Sequence, residues 1–192
     1  MEAVFLSATA CLAAFMVLAV YDGFYLHLWR YELFRHPESK FEHLTHTIRA
    51  VLFPLLVWLM FIRTDMISFR IGLIVVVMDL IVLAVDAYSE KDSRVFMNGL
   101  PRWEYIIHLF ANGFHFAVIV LIIASRIKIE NNGLHYTTDS LTSRHYPIFK
   151  WAAVNALPGA VLLGLLHILL LTKPGRQWWY KLKAKTGRAA VH

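Results

Sequence analysis

The chain has a single cysteine, Cys11, among 192 residues. A lone cysteine excludes an intramolecular disulfide and any thiolate metal cluster built within one chain. Charge is scarce too: 17% of residues are charged and 58% are hydrophobic, with a mean hydropathy of +0.55. This is too apolar for a water-soluble domain of this length. There is no internal repeat, no Gly/Ser linker and no low-complexity tract. The opening Met-Glu-Ala lacks the basic region and cleavage site of a signal peptide, so the first apolar run is expected to remain in place.

What is present is a set of five apolar runs, each near the ~20 residues a helix needs to cross the hydrocarbon. They predict spans at about 3–29, 42–62, 67–88, 103–125 and 147–172. The expected architecture is one all-α integral membrane bundle of five transmembrane helices, with a basic tail over 173–192. Short connections join the spans, except for a polar loop over 126–146. Five spans put the two ends on opposite faces. With the C-terminus inside, twelve Lys/Arg residues fall on the inner side and six on the outer, which predicts N-out, C-in. The tail sequence Gln177-Trp178-Trp179-Tyr180-Lys181 places aromatic anchors beside basic residues, as at an anionic inner surface. The net charge of +6 is carried by residues flanking the spans, so it points to the lipid bilayer as partner and not to nucleic acid. The predicted location is a bacterial cytoplasmic membrane.

Against this apolar background, His27, His43, His46, His108, His115 and His167 lie inside or at the inner ends of the runs, with Asp22, Asp79, Asp86 and Arg49. Because the helices alternate in direction, a rise of about 1.5 Å per residue places these groups within roughly 10–15 Å of one plane. Spacing then sets their direction. Glu104, His108, Asn112 and His115 share one helical stripe; Asp79, Asp86 and Glu90 share another; Glu42, His46 and Arg49 share a third, with His43 beside it. Charged stripes cannot face lipid, so they are expected to meet inside the bundle.

Imidazoles and carboxylates without sulfur are ligands for iron, manganese or zinc, and the surplus of candidates favours two ions. The expected metal ligands are Asp22, His43, His46, Asp79, Asp86, His108, His115 and His167. The function this predicts is a metal-dependent oxidoreductase, with dinuclear non-haem iron, acting on a hydrophobic substrate such as a lipid or quinone. No flavin, nucleotide or iron–sulfur motif is present, so electrons are expected from a donor protein. Only His43-Leu44-Thr45-His46 approaches the histidine boxes of membrane desaturases and hydroxylases, and Glu42-His43-Leu44-Thr45-His46 lacks the His-Glu-x-x-His order of a zinc protease.

Two alternatives remain open. Five spans with histidines on the first, second, fourth and fifth resemble the haem-bearing membrane anchors of succinate dehydrogenases, which implies haem b held by two axial histidines. The other alternative has no cofactor: Arg49 pairs with Asp79 or Asp86, and the layer is a structural network or a proton or cation path. His36, His135 and His145 are expected outside the site. Pro54 and Pro158 are expected to kink their helices.

Overall fold

The computed structural model describes residues 2–130 and 133–189. Five helices are long and apolar enough to cross a membrane: α1 (Glu2–Arg30), α2 (Pro37–Ile62), α3 (Met66–Ser93), α4 (Arg102–Arg126) and α5 (Tyr146–Leu171). Their length and composition mark the chain as a membrane protein, because lipid offers the backbone no partners and only internally bonded helices suit such runs. The expected spans agree with these helices to within a few residues at most ends. The main exception is α3, which runs on past Tyr88 through a polar turn to Ser93.

Chain breaks fall where the backbone chemistry demands them. After α1, Glu32 takes a left-handed conformation (φ 50°), and Pro37 opens the turn into α2. Between α3 and α4 the reversal uses Asn98 (φ 62°) and Gly99 (φ 109°), with Pro101 just ahead of the next helix. Asp65 caps α3 by accepting from the Ser68 backbone N–H at 2.8 Å. Its carboxyl is lowered to about 2, chiefly by this bond and the Ser68 hydroxyl.

α1 packs against α4 and α5, and α2 packs against α3 and α5, so α5 joins two helix pairs. The approach of α2 to α5 is closest at Gly164, where a Cβ would sit 2.7 Å from the Ala50 carbonyl oxygen. Only a residue without a side chain fits that crossing. One half of the bundle holds an apolar core of Phe5, Leu12, Leu56, Phe61, Val118, Ile122 and Phe149. The other half holds the polar residues. It is the end where α1, α3 and α5 finish and α2 and α4 begin, and it is called the inner end below.

Two regions differ from the sequence expectation. The loop over 126–146 contains a hairpin, β1 (Ile127–Glu130) paired antiparallel with β2 (Gly133–Tyr136). It is tied down by Tyr136, whose hydroxyl donates to the Thr64 carbonyl at 2.5 Å. The tail forms a helix, α6 (Lys173–Ala189), which buries Trp179 against Leu28, Phe34 and Leu170. Lys183 of α6 reaches Glu32 at 2.8 Å, so the tail is docked on the bundle and is more than an interfacial anchor.

Candidate metal centre

At the inner end, residues from four helices and the α3–α4 turn converge. His27 lies at the middle, fully buried. Its Nδ1 meets His46 Nδ1 at 3.2 Å, and its Nε2 faces Asp22 at 3.4 Å and Glu42 and Glu104 at 3.9 Å each. His46 Nε2 lies 3.2 Å from Asp86 and 3.8 Å from Glu42. His108 places Nε2 2.9 Å from Asp22 and its other ring nitrogen against Glu90. The Thr45 hydroxyl donates to Asp86 and fixes that carboxylate.

Local backbone geometry makes this meeting possible. The last part of α1, Val20–Arg30, is a π-helix, closed by bonds such as Tyr31 N–H to the Leu26 carbonyl at 2.8 Å. A π-helix bonds i to i+5, so residues five apart come to stand one above the other. Asp22 and His27 are five apart and share a face. On α2 and α4 the ordinary turn does the same for residues four apart, pairing Glu42 with His46 and Glu104 with His108.

Arg94 closes the cluster from below. Its guanidinium donates to Glu42 at 2.5 Å and to Glu104 at 2.6 Å, and it stands 3.3 Å from His27 Nε2. Burial would lower its affinity for a proton; the Glu42 and Glu104 carboxylates outweigh this and raise it. Even so the charges do not balance. The cluster has five carboxylates, Asp22, Glu42, Asp86, Glu90 and Glu104, and one guanidinium, which pairs with Glu42 and Glu104 alone, a deficit of four if all are ionised. His108, with an acid at each ring nitrogen, satisfies both only as a double donor, which removes one. The rest calls for further protons or for cations. Two carboxylate oxygens, Glu42 Oε1 and Glu104 Oε2, are buried without a hydrogen-bond partner among the described residues. Two overlapping groups have the spacing to hold an ion: Asp22, His27 and His108, and His27, Glu42 and His46.

The expected ligands divide into three sets. Asp22, His46, Asp86 and His108 belong to this cluster. Asp79 and His115 do not; they form a separate group deeper in the bundle. There Asp79 accepts from Arg49 Nε at 3.1 Å and from His115 Nε2 at 2.9 Å, and Arg49 also donates to the Asn112 carbonyl at 2.8 Å. Arg49 therefore pairs with Asp79 and not with Asp86. His43 and His167 form the third set, a buried stacked pair with ring centroids 5.4 Å apart and planes 18° from parallel. His43 is three residues before His46, enough rotation to turn it from the cluster toward α5. Both its nitrogens, and Nδ1 of His167, have no partner among the described residues.

Of the residues expected outside the site, His36 stacks on Phe96 and His145 faces Glu2. Pro54 precedes a second π-helical stretch, Val57–Ile62. The sequence reading left out His27, Glu42, Glu90 and Glu104 as ligands and gave Arg94 no role beyond loop charge. The four-residue Glu–His spacings were a usable signal for two of these.

A cavity of about 600 Å³ joins the first two sets and is also lined by His167 of the third. His46, Asp86, Glu90 and His108 line one end, and Arg49, Asp79, Asn112 and His115 line the other, with Phe15, Met16 and Phe53 beyond them. Its wall includes exposed residues of α3 (Ala87) and α4 (Tyr105, Leu109) and of α1 (Val20) and α5 (Gly159, Leu162), so it reaches the lateral surface of the bundle. Arg94, fully buried, seals the inner end below.

Compared with family models, curated proteins and solved structures, the chain matches none.

Proposed function

We propose that this chain is a membrane oxidoreductase that holds two transition-metal ions, iron in preference to manganese or zinc, at the inner cluster and acts on an apolar substrate drawn from the bilayer. The observation that carries this reading is the charge imbalance around His27, together with the unpartnered oxygens of Glu42 and Glu104. Anionic oxygens buried without donors are strongly disfavoured, and divalent cations relieve that cost directly. Nitrogen and oxygen ligands without sulfur suit iron, manganese or zinc, and oxidative chemistry favours iron among them.

The residues fit such ions in a definite division of labour. Asp22, His27 and His108 would hold one ion, His108 giving up the proton it shares with Asp22, and Glu42 and His46, with Asp86 beside them, the other. Iron bound there would supply electron transfer and a site for dioxygen. Arg94 holds Glu42 and Glu104 in place, Thr45 holds Asp86, and the sealed inner end keeps bulk water from the cluster. The lateral opening admits a lipid or quinone. A separate donor protein would deliver the electrons.

His27 and His46, at 4.2 Å between ring centroids, stand too close for a haem to lie between those two. One observation favours a cofactor-free network instead: the Arg94 guanidinium reaches His27 and two of the carboxylates by itself. Elemental analysis with an optical spectrum of the detergent-purified protein separates these readings. Close to two equivalents of iron per chain and no Soret band are expected. Metal-free protein that folds normally at neutral pH would establish the network, and a Soret band that shifts on reduction would establish haem.

A further inference from the structure

The deeper polar group has hydrogen-bonding capacity left over, and its kind identifies a ligand. Both oxygens of Asp79 are engaged, one by Arg49 Nε and one by His115 Nε2. The Asn112 carbonyl is engaged by Arg49 Nη2, which turns the Asn112 amide nitrogen away from the guanidinium. Among the described residues neither Arg49 Nη1 nor Asn112 Nδ2 has a protein acceptor, and both side chains line the cavity. Two N–H donors without acceptors thus belong to residues lining one chamber, whose wall also includes the apolar Phe15, Met16 and Phe53.

We infer that Arg49 and Asn112 form a binding site for the carbonyl oxygen of an uncharged, long-chain molecule. This deepens the proposed function, and rests on it for placing the molecule's reacting end at the inner cluster. The argument runs on donors and charge. A carbonyl oxygen has two lone pairs and no proton, so it can accept from both donors and brings no donor of its own. An anion is disfavoured although arginine is present, because Asp79 already neutralises Arg49 at 3.1 Å. A second negative charge beside Asp79, in a water-poor chamber, would meet an uncompensated repulsion. A plain hydrocarbon would leave both donors unpaired, at a penalty comparable with a lost hydrogen bond. The site therefore selects ketones, aldehydes, esters or quinones over fatty-acid anions and alkanes. The carbonyl rests near mid-bundle, and the rest of the molecule extends along the cavity.

The test uses chelator-stripped full-length protein in lipid nanodiscs, so that its result does not depend on bound ions. Three probes of one chain length are compared: carbon-13 carbonyl-labelled 2-dodecanone, dodecanoate and dodecane. Infrared difference spectra should show a bound ketone population whose C=O stretch is shifted to lower frequency by the donors, and the ketone should bind more tightly than either other probe. Asn112→Leu should weaken ketone binding about threefold to tenfold, the worth of one hydrogen bond, and reduce the shift. Asn112→Asp keeps the oxygen that Arg49 bonds but removes the amide donor, and should weaken ketone binding at least as much. Tighter binding of dodecanoate, equal binding of all three probes, or ketone binding unchanged in both variants would each overturn the assignment. None of these outcomes bears on the metal content of the inner cluster, which is read separately by elemental analysis.

Discussion

The two polar groups facing this cavity are built from the same residue types and balanced in opposite ways. The deeper one sets a single aspartate against a single arginine, and its histidine donates to that aspartate: its charges balance, although two of its N–H donors stay free among the described residues. The inner one gathers five carboxylates and three imidazoles around one guanidinium and leaves carboxylate oxygens without partners. A buried polar group whose charges cancel can fix helices to one another. One whose charges do not cancel demands a charge from outside. Net charge, more than the number of histidines, separates scaffold from site here.

The largest effect should come from removing the one cation of the unbalanced group. Arg94→Met strands Glu42 and Glu104, both fully buried, and should lower unfolding stability by about 3–5 kcal/mol, measured by denaturant titration in mild detergent. A loss under 1 kcal/mol would mean that these acids are protonated, and the imbalance would vanish. Next is a contrast between histidines. His27→Ala removes the residue common to both candidate ion groups, and should reduce metal affinity about 10–100-fold by equilibrium dialysis. His115→Ala, in the balanced group, should leave metal content unchanged. Equal losses in the two variants would merge the groups that the structure separates.

A smaller effect is expected from Asp79→Asn. It weakens the hold on Arg49 and should cost about 1–2 kcal/mol in thermal unfolding, with the inner cluster still loaded. The smallest lies outside the membrane region. The Asp65 carboxylate has a lowered pKa of about 2, so its capping contribution is complete above the ordinary carboxylate value near 4 and fades as pH falls toward 2. The Tm gap between wild type and Asp65→Ala should therefore be constant at neutral pH and narrow over about pH 4 to 2. A gap that stays constant through that range would show that the charge at the cap is immaterial.

Much of the architecture was legible because a bilayer leaves few choices. Apolar length and the ban on unbonded backbone are enough to place five helices. The inner site was legible only in part. Asp22, His46, Asp86 and His108 stood out as ionisable residues in apolar runs, and the structure brings them together. Asp79, His115, His43 and His167 stood out equally, yet depth along the bundle does not fix rotation about each helix. His27 was lost for a different reason: periodicity measured in ordinary turns puts it off the Asp22 face, and the π-helical stretch that returns it leaves no mark in composition. Arg94 lies one residue beyond α3, where a cation looks like any other loop charge. The hairpin was hidden because its strands have only four residues each, and the tail helix because its sequence is polar and basic and its buried residue, Trp179, is set by docking on the bundle.

The pairing of helices around α5 has a mechanical consequence. α1 and α4 form one leaf, α2 and α3 the other, and α5 is the spine between them. Every carboxylate of the inner cluster belongs to one leaf or the other: Asp22 and Glu104 to the first, Glu42, Asp86 and Glu90 to the second. The free edges of the two leaves, α3 and α4, both carry exposed residues of the cavity wall. Positive charge between the leaves draws those edges together, and its withdrawal lets the acids push them apart. The cluster is in this sense a clasp on a book, and the state of its charge sets how widely the book can open to the bilayer.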